Sequence, residues 1–232
     1  MNKGKNYILI IGSKPESKLP DLNVETFYTA NGAAERASEY KKKYPKTNFI
    51  SIVSGFEFIK NIEVQNRVVE AKPSFLISRS DKIDLSKYNF SKSLKFLYFS
   101  NLNQYLFQCQ FFKLGIWDLL ISELNYEETI RKKFMLFVKT IKYFRFSGVS
   151  TGFFAILYAL KKHPNSKVII TGIGMSFGGY FYDKKGSRYN NRSKVDIALM
   201  KNLKKKFKNR LYTLDVDLNT NTKINLFKLE TF

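Results

Sequence analysis

The side chains best suited to chemistry lie between residues 167 and 200, in the stretch KVIITGIGMSFGGYFYDKKGSRYNNRSKVDIALM. It begins as an apolar, β-branched strand and ends at the start of a helix, and the loop between them carries glycines, tyrosines and arginines. Glycine lets a loop close tightly, a tyrosyl hydroxyl donates to an anion, and a guanidinium grips one in a bidentate way. We therefore predict that this loop closes over a charged, phosphorylated small molecule.

A second set of polar groups, Ser150 and Thr151, is followed by Gly152 at the start of a predicted helix. Hydroxyls and unpaired N–H groups at a helix N-terminus form a natural anion site. The same residues are also an ordinary choice for a helix N-cap. The pattern alone is compatible with both roles.

The composition argues against disulfide and metal chemistry. The single cysteine, Cys109, excludes an intramolecular disulfide and a cysteine metal cluster, and the single histidine excludes a multi-histidine site. That histidine, His163, precedes Pro164 in KKHPNSK and is expected to lie in a turn between a helix and a strand. We therefore expect no metal site.

The chain is strongly basic, because 40 Lys and Arg against 19 Asp and Glu give a net charge of +21. Such a field attracts polyanions and anionic membranes, although a solvated, lysine-rich surface produces the same number. The basic residues are scattered, and no zinc-finger, RNP or basic-zipper pattern is present. A nucleic-acid partner is therefore not expected.

The hydrophobic pattern predicts a cytoplasmic protein. No stretch reaches the roughly 20 apolar residues that a transmembrane helix needs. The apolar run near the N-terminus is too short for a signal peptide and ends in a turn. Peripheral adhesion to the inner face of the cytoplasmic membrane is left open.

Short apolar runs rich in β-branched residues alternate with amphipathic segments along most of the 232 residues. This alternation is typical of β-α-β units and predicts a Rossmann-like α/β fold with a doubly wound, mainly parallel sheet. Strands are predicted at residues 6–13, 24–32, 48–55, 73–80, 93–100, 167–172 and 210–215.

The middle of the chain differs, because residues 101–146 have a helical pattern and many aromatic side chains, including Trp117. We predict a helical insertion or lid there. It separates a first part of a nucleotide-binding α/β domain, residues 1–100, from a second part, residues 147–232. The aromatic surplus is explained either by a core or by an exposed surface that meets a membrane, an acceptor or a second copy in a homo-oligomer.

The predicted strands end in small or amide-bearing residues: Gly12 and Ser13, Asn31, Ser54, and Gly172. In a doubly wound sheet, ligands bind beyond the carboxyl ends of the strands. Residues of these types let a ligand approach backbone N–H groups. We therefore predict that they line a ligand site.

Four motifs occur along the chain in a characteristic order. They are GSKPES after the first strand, TANG after the second, STGFFAILYALKKHPNSKVIITGI, and a tyrosine-containing loop that leads to SKVDI. This order resembles the bacterial sialyltransferases of glycosyltransferase family 42 and related bacterial enzymes that transfer other nonulosonic sugars, including Kdo, from CMP donors. The resemblance covers about residues 6–55 and 147–215.

The resemblance implies a CMP-sugar donor, a glycan or glycolipid acceptor, and no cofactor or essential divalent cation. Tyr180 and Tyr182 match tyrosines that hydrogen-bond the departing CMP phosphate, which a hydroxyl can stabilise without a metal. The donor contacts that the resemblance implies elsewhere are Gly12, Ser13, Pro15, Asn31, Thr151 and Gly152.

One feature of the resembled family is missing. The family places a general-base histidine a few residues ahead of an aspartate that matches Asp196, whereas this chain has Asn191 and Arg192 there. Either another carboxylate, Asp183 or Asp196, accepts the proton, or the chain is an inactive relative. Arg188 and Arg192 either bind the carboxylate or phosphate of the donor or lie in solvent.

Three functions are compatible with the sequence. The first is a glycosyltransferase that builds a surface glycan, lipo-oligosaccharide or capsule. The second is a non-catalytic module for polyanions or glycans, favoured by the net charge and the missing histidine. A methyltransferase is disfavoured, because GSKPES and TANG supply neither a glycine-rich first loop nor an acidic residue after the second strand.

The predicted helix near residues 193–207 has a lysine-rich face that either meets anionic lipids or is solvated.

Overall fold

The computed structural model describes residues 7–14, 17–125, 129–143, 148–174 and 192–228, without the side chains of residues 122, 123, 139, 141–143, 192 and 193. These residues form eight β-strands, and seven of them coincide with predicted strands. The bounds are β1 Tyr7–Ile11, β2 Thr26–Ala30, β3 Asn48–Ser54, β4 Phe75–Ser80, β5 Lys95–Ser100, β6 Lys167–Thr171, β7 Leu211–Thr213 and β8 Asn225–Leu226.

The eight strands form one sheet in the order β5-β4-β3-β2-β1-β6-β7-β8, and every neighbouring pair is parallel. β1 lies inside the sheet, so that Ile8 is opposite Thr26 on one side and Val168 on the other. The chain winds outward from β1 to β5 and then in the opposite direction from β6. This topology confirms the predicted doubly wound α/β fold and places its switch point between β1 and β6.

Nine α-helices occupy much of the remaining described chain: α1 Glu35–Lys43, α2 Gly55–Lys60, α3 Ile62–Glu70, α4 Asn101–Phe112, α5 Ile116–Asn125, α6 Ile130–Tyr143, α7 Thr151–Lys162, α8 Arg192–Lys206 and α9 Val216–Thr222. Two short helices, α2 and α3, follow β3 where one was predicted. Asn61 separates them, because its side chain accepts from the N–H groups of Glu63 and Val64 and so caps a new helix. α9 and β8 are not among the predicted elements.

Helices cover both faces of the sheet. Successive side chains of a strand point to opposite faces, so each central strand contributes to two cores. Ile8 and Ile10 belong to a core that contains α4, α7 and α8. Leu9 and Ile11 belong to a second core, with α1, α2 and α3. Both sets are fully buried, which explains why the central strands are continuously apolar in sequence.

The helices between β5 and α7 differ in how they are packed. Tyr105 and Cys109 of α4 are buried in the same core as α7, so α4 is part of the main body. α6 instead exposes large apolar side chains, among them Ile130 and Phe134. The division into domains stays a prediction. Within the described ranges, no helix is long and apolar enough to span a bilayer.

Candidate functional site

The loops that follow β1 and β6 touch each other at the switch point of the sheet. Gly12 N–H donates to the Thr171 carbonyl at 2.8 Å, and Lys14 N–H donates to the Gly172 carbonyl at 2.8 Å. A Cβ atom on Gly172 would lie 2.6 Å from the Gly12 carbonyl oxygen, and the φ angle of Gly172 is +70°. Both positions therefore require glycine for close backbone approach, and Gly172 requires it for conformation as well.

Asn31 and Ser13 connect this point to the ends of β2 and β3. Asn31, with a φ of +50°, accepts through Oδ1 from Ser54 N–H at 2.8 Å. Ser13 Oγ donates to the Ala30 carbonyl at 3.1 Å, and Ser54 Oγ caps α2 by accepting from Glu57 N–H. The Nδ2 amide of Asn31 has no partner among the described residues, and its predicted contact with a ligand stays a prediction.

The start of α7 combines a cap with a buried carboxylate. Ser150 Oγ accepts from Phe153 N–H at 3.2 Å. Ser150 N–H donates to Asp196 of α8, whose two carboxylate oxygens lie 3.2 and 3.3 Å away. Asp196 is only 3% exposed. The contact gives Asp196 a role in fixing the helix start, while its predicted catalytic role stays a prediction.

Thr151 and Gly152 form the remaining part of the first turn of α7. Their N–H groups have no acceptor among the described residues, as expected for the first residues of a helix, and neither does the Thr151 hydroxyl. Gly152 faces Ile173, since a Cβ there would lie 3.2 Å from the Ile173 side chain. The helix start thus adjoins the loop after β6. Its unpaired N–H groups can bind an anion, although the Ser150 N–H already donates to Asp196.

Buried polar groups hold the segment before α7 in position. Arg79, at the end of β4 and 4% exposed, donates from Nη2 to the Val149 carbonyl at 2.8 Å and from Nε to Gln104 Oε1 at 2.8 Å. Val149 N–H donates to Gln108 Oε1 at 3.0 Å. The backbone before Ser150 is therefore anchored to both β4 and α4.

A carboxylate cluster that the sequence did not predict lies beside the switch point. Asp215 follows β7 and is 8% exposed, and its Oδ2 has no hydrogen-bond partner within the described chain. Asp217 forms an ion pair with Lys14, with 2.7 Å between Oδ2 and Nζ. Arg36 of α1, which donates to Ser17 Oγ, interacts electrostatically with Asp215. The buried carboxyl therefore lies among two cations and a second carboxylate.

This environment disfavours the charged form of Asp215. Burial raises its pKa to about 6, and the charge of Asp217 adds to the rise. Lys14 and the N–H groups of Gly172 and Ile173 act in the opposite direction. A carboxyl with a pKa this close to neutrality, at the ligand edge of an α/β sheet, is a candidate for accepting a proton.

A weak sequence signal for this cluster exists. Asp215 is the last residue of the last predicted strand, residues 210–215, and Asp217 follows two residues later in TLDVD. Because carboxyl ends of parallel strands meet at one edge, a polar residue there could have been grouped with Gly12 and Gly172. The burial of Asp215 and the identity of its spatial neighbours could not have been predicted from the sequence.

Several predicted residues cannot be placed. Side chains that lie outside the described residues are Pro15, Tyr180, Tyr182, Asp183, Arg188 and Arg192. Their roles stay predictions. Among the residues that the structure does describe, no group of three or more His, Cys, Asp or Glu side chains could hold a metal ion.

Comparisons with known proteins find little. No protein-family model matches the chain, and no curated protein sequence matches it. Among solved structures it is similar to the crystal structure of the sialyltransferase CST-II in complex with trisaccharide acceptor and CMP. The two are 11% identical, the alignment covers 96% of this chain and 89% of that chain, and the TM-score is 0.38.

Proposed function

We propose that the protein is a glycosyltransferase that moves an acidic sugar, sialic acid-like or Kdo-like, from a CMP-activated donor to a bacterial surface glycan or lipo-oligosaccharide. The observation that carries the proposal is the convergence of the motifs at one edge of the sheet. Ser13 donates to the carbonyl of Ala30, the residue before Asn31, while Gly12 packs against Gly172 at the switch point and Gly152 faces the loop after β6. Motifs more than a hundred residues apart in sequence thus adjoin one another.

In this proposal the donor nucleotide lies across the switch point. The Asn31 amide, the Thr151 hydroxyl and the free N–H groups of α7 donate to its phosphate and cytidine. Tyr180 and Tyr182 donate to the phosphate as it leaves, and Arg188 and Arg192 hold the carboxylate of the sugar. These side chains and N–H groups donate hydrogen bonds to the negatively charged phosphate and carboxylate. Binding of the CMP-sugar therefore requires neither a metal ion nor a cofactor.

The reaction is a single displacement at the anomeric carbon. The acceptor hydroxyl oxygen forms a bond to that carbon while the bond from the carbon to the phosphate oxygen breaks. CMP leaves with the bonding electron pair, and the hydroxyl proton passes to a carboxylate.

Asp215 is the additional carboxylate that we propose for the proton. With a pKa of about 6 it is mainly ionised at neutral pH and still basic enough to accept a proton. Asp196 is less suitable, because both of its oxygens lie within 3.3 Å of the Ser150 N–H that it stabilises. Asp183 remains the alternative predicted from sequence.

The test is the thermal unfolding midpoint of the protein with CMP, CDP, UMP, GMP and S-adenosylmethionine, at low and high salt and with a metal chelator. A ligand that binds only the native state raises the midpoint. We expect a shift that is selective for cytidine nucleotides and survives salt and chelator. Asn31→Asp should abolish it, because Asp keeps the acceptor for Ser54 N–H but replaces the amide donor by a negative charge. The matched control is Asn89→Asp, which adds the same charge at an exposed position before β5.

Two further outcomes separate the alternatives. Equal shifts with every polyanion, lost in high salt, would favour the non-catalytic polyanion-binding module. A shift with S-adenosylmethionine alone would favour a methyltransferase. A cytidine-selective shift would justify assaying CMP release from CMP-activated sialic acid and Kdo.

A further inference from the structure

α6 presents a row of large apolar side chains to solvent. Ile130, Phe134 and Phe137 recur at i, i+4 and i+7 and therefore share one face of the helix. Their exposed fractions are 85%, 65% and 38%. In a globular protein such a face normally packs against the core. Its exposure here indicates an interaction surface.

The remainder of α6 is cationic. Five of its 14 residues are Lys or Arg, and none is Asp or Glu. Arg131 and Lys132 are exposed and Lys133 is half-buried. By the helical repeat, Arg131 and Lys133 border the apolar row on opposite sides. An apolar stripe between basic residues is typical of a helix that lies in the headgroup region of a bilayer.

The neighbouring helix also exposes large apolar side chains. α5 contacts α6 and exposes Trp117 and Ile121, 61% and 53%, at i and i+4 of one face. Tryptophan is enriched where a protein meets the interface between membrane and water. We call the set Trp117, Ile121, Ile130, Arg131, Phe134 and Phe137 the α5–α6 surface.

We propose that the α5–α6 surface binds an anionic lipid bilayer, with its apolar side chains among the headgroups and its basic residues against the phosphates. The net charge of +21 complements such a surface. A second copy of the chain is a poorer occupant, because two chains with this charge repel each other. The inference is independent of the donor and the reaction proposed above.

The experiment is sedimentation of the purified protein with vesicles of phosphatidylcholine alone and of phosphatidylcholine mixed with phosphatidylglycerol. Ile130→Ser and Phe134→Ser each remove one exposed apolar side chain from the surface. The matched controls are Ile62→Ser and Phe56→Ser, whose side chains are 62% and 60% exposed on α3 and α2. Circular dichroism and unfolding midpoints of all four variants establish that each is folded.

We expect binding to the mixed vesicles only, weakened by about tenfold in each variant on α6 and unchanged in the controls. Arg131→Gln should weaken binding by about fivefold, the effect of one basic residue at an anionic surface. Equal binding by all four apolar variants would overturn the proposal, since it would show a general attraction of the positive surface. So would dissociation of a dimer by Phe134→Ser without an effect on vesicles, because the surface would then bind a second copy.

Discussion

Replacing Asp215 by asparagine should stabilise the protein at neutral pH. Asp215 is 8% exposed, and its Oδ2 has no partner among the described residues. An ionised carboxylate in that position loses hydration without recovering a full set of hydrogen bonds. Asparagine has nearly the same shape and no charge, so it keeps the packing and removes the penalty.

The magnitude follows from the pKa. Burial, together with the charge of Asp217, raises the pKa of Asp215 from 3.8 to about 6. At about 1.36 kcal/mol for each pKa unit, the ionised form lowers the free energy of unfolding by about 3 kcal/mol. For a chain of this length, that corresponds to a rise in Tm of roughly 6 to 12 °C on substitution.

The raised pKa of Asp215 also determines how stability changes with pH. Because the pKa is higher in the folded state, the folded protein retains a proton that the unfolded chain releases between about pH 4 and pH 6. Wild-type stability therefore falls through this window as pH rises, relative to Asp215→Asn. The two proteins should be nearly equal in stability below pH 4 and differ fully above about pH 7.

The assay is urea unfolding of both proteins across this pH range. Asp84→Asn is the matched control, because hydrogen bonds from Ser86 lower the pKa of Asp84. The ionised Asp84 carboxylate stabilises the wild-type protein above the pKa of the unfolded chain. Asp84→Asn should therefore lower the free energy of unfolding at neutral pH and have no effect in acid. This change at neutral pH is opposite in sign to the one expected for Asp215→Asn. An Asp215→Asn protein that is less stable than wild type at neutral pH would refute the argument, because it would mean that the buried carboxylate is fully paired.

Two further substitutions test the geometry of the edge by urea unfolding. Gly12→Ala should lower the free energy of unfolding by more than about 2 kcal/mol, because the new Cβ would overlap the Gly172 carbonyl. Gly174→Ala is its control and should change stability by less than about 0.5 kcal/mol, since its nearest neighbours are Lys14 side-chain atoms at 3.7 Å; equal effects would contradict the packing described. Ser150→Ala should cost about 1 kcal/mol through loss of the α7 cap, and an unchanged midpoint would show that Asp196 alone fixes the helix start.

The sequence by itself determined the class of fold. Apolar runs such as Ile8–Ile11 are continuous because strands of a parallel sheet are buried on both faces, and their alternation with amphipathic segments leaves few other arrangements. The apolar residues of α8 likewise recur at a helical spacing, and Val195, Leu199, Met200 and Leu203 are buried there. Glycine and asparagine at strand ends indicated the edge where a ligand would bind.

The tertiary structure decided which polar groups at that edge are already occupied. Asp196 reaches Ser150 across 46 residues, so a carboxylate that looked available in sequence already accepts from the start of α7. Asp215 looked like the end of a strand, yet the packing of α9 and the loop after β1 encloses it beside Lys14 and Asp217. Hydrophobic periodicity is local and can be read along the chain, whereas the burial and pairing of a charge depend on residues that only folding brings together.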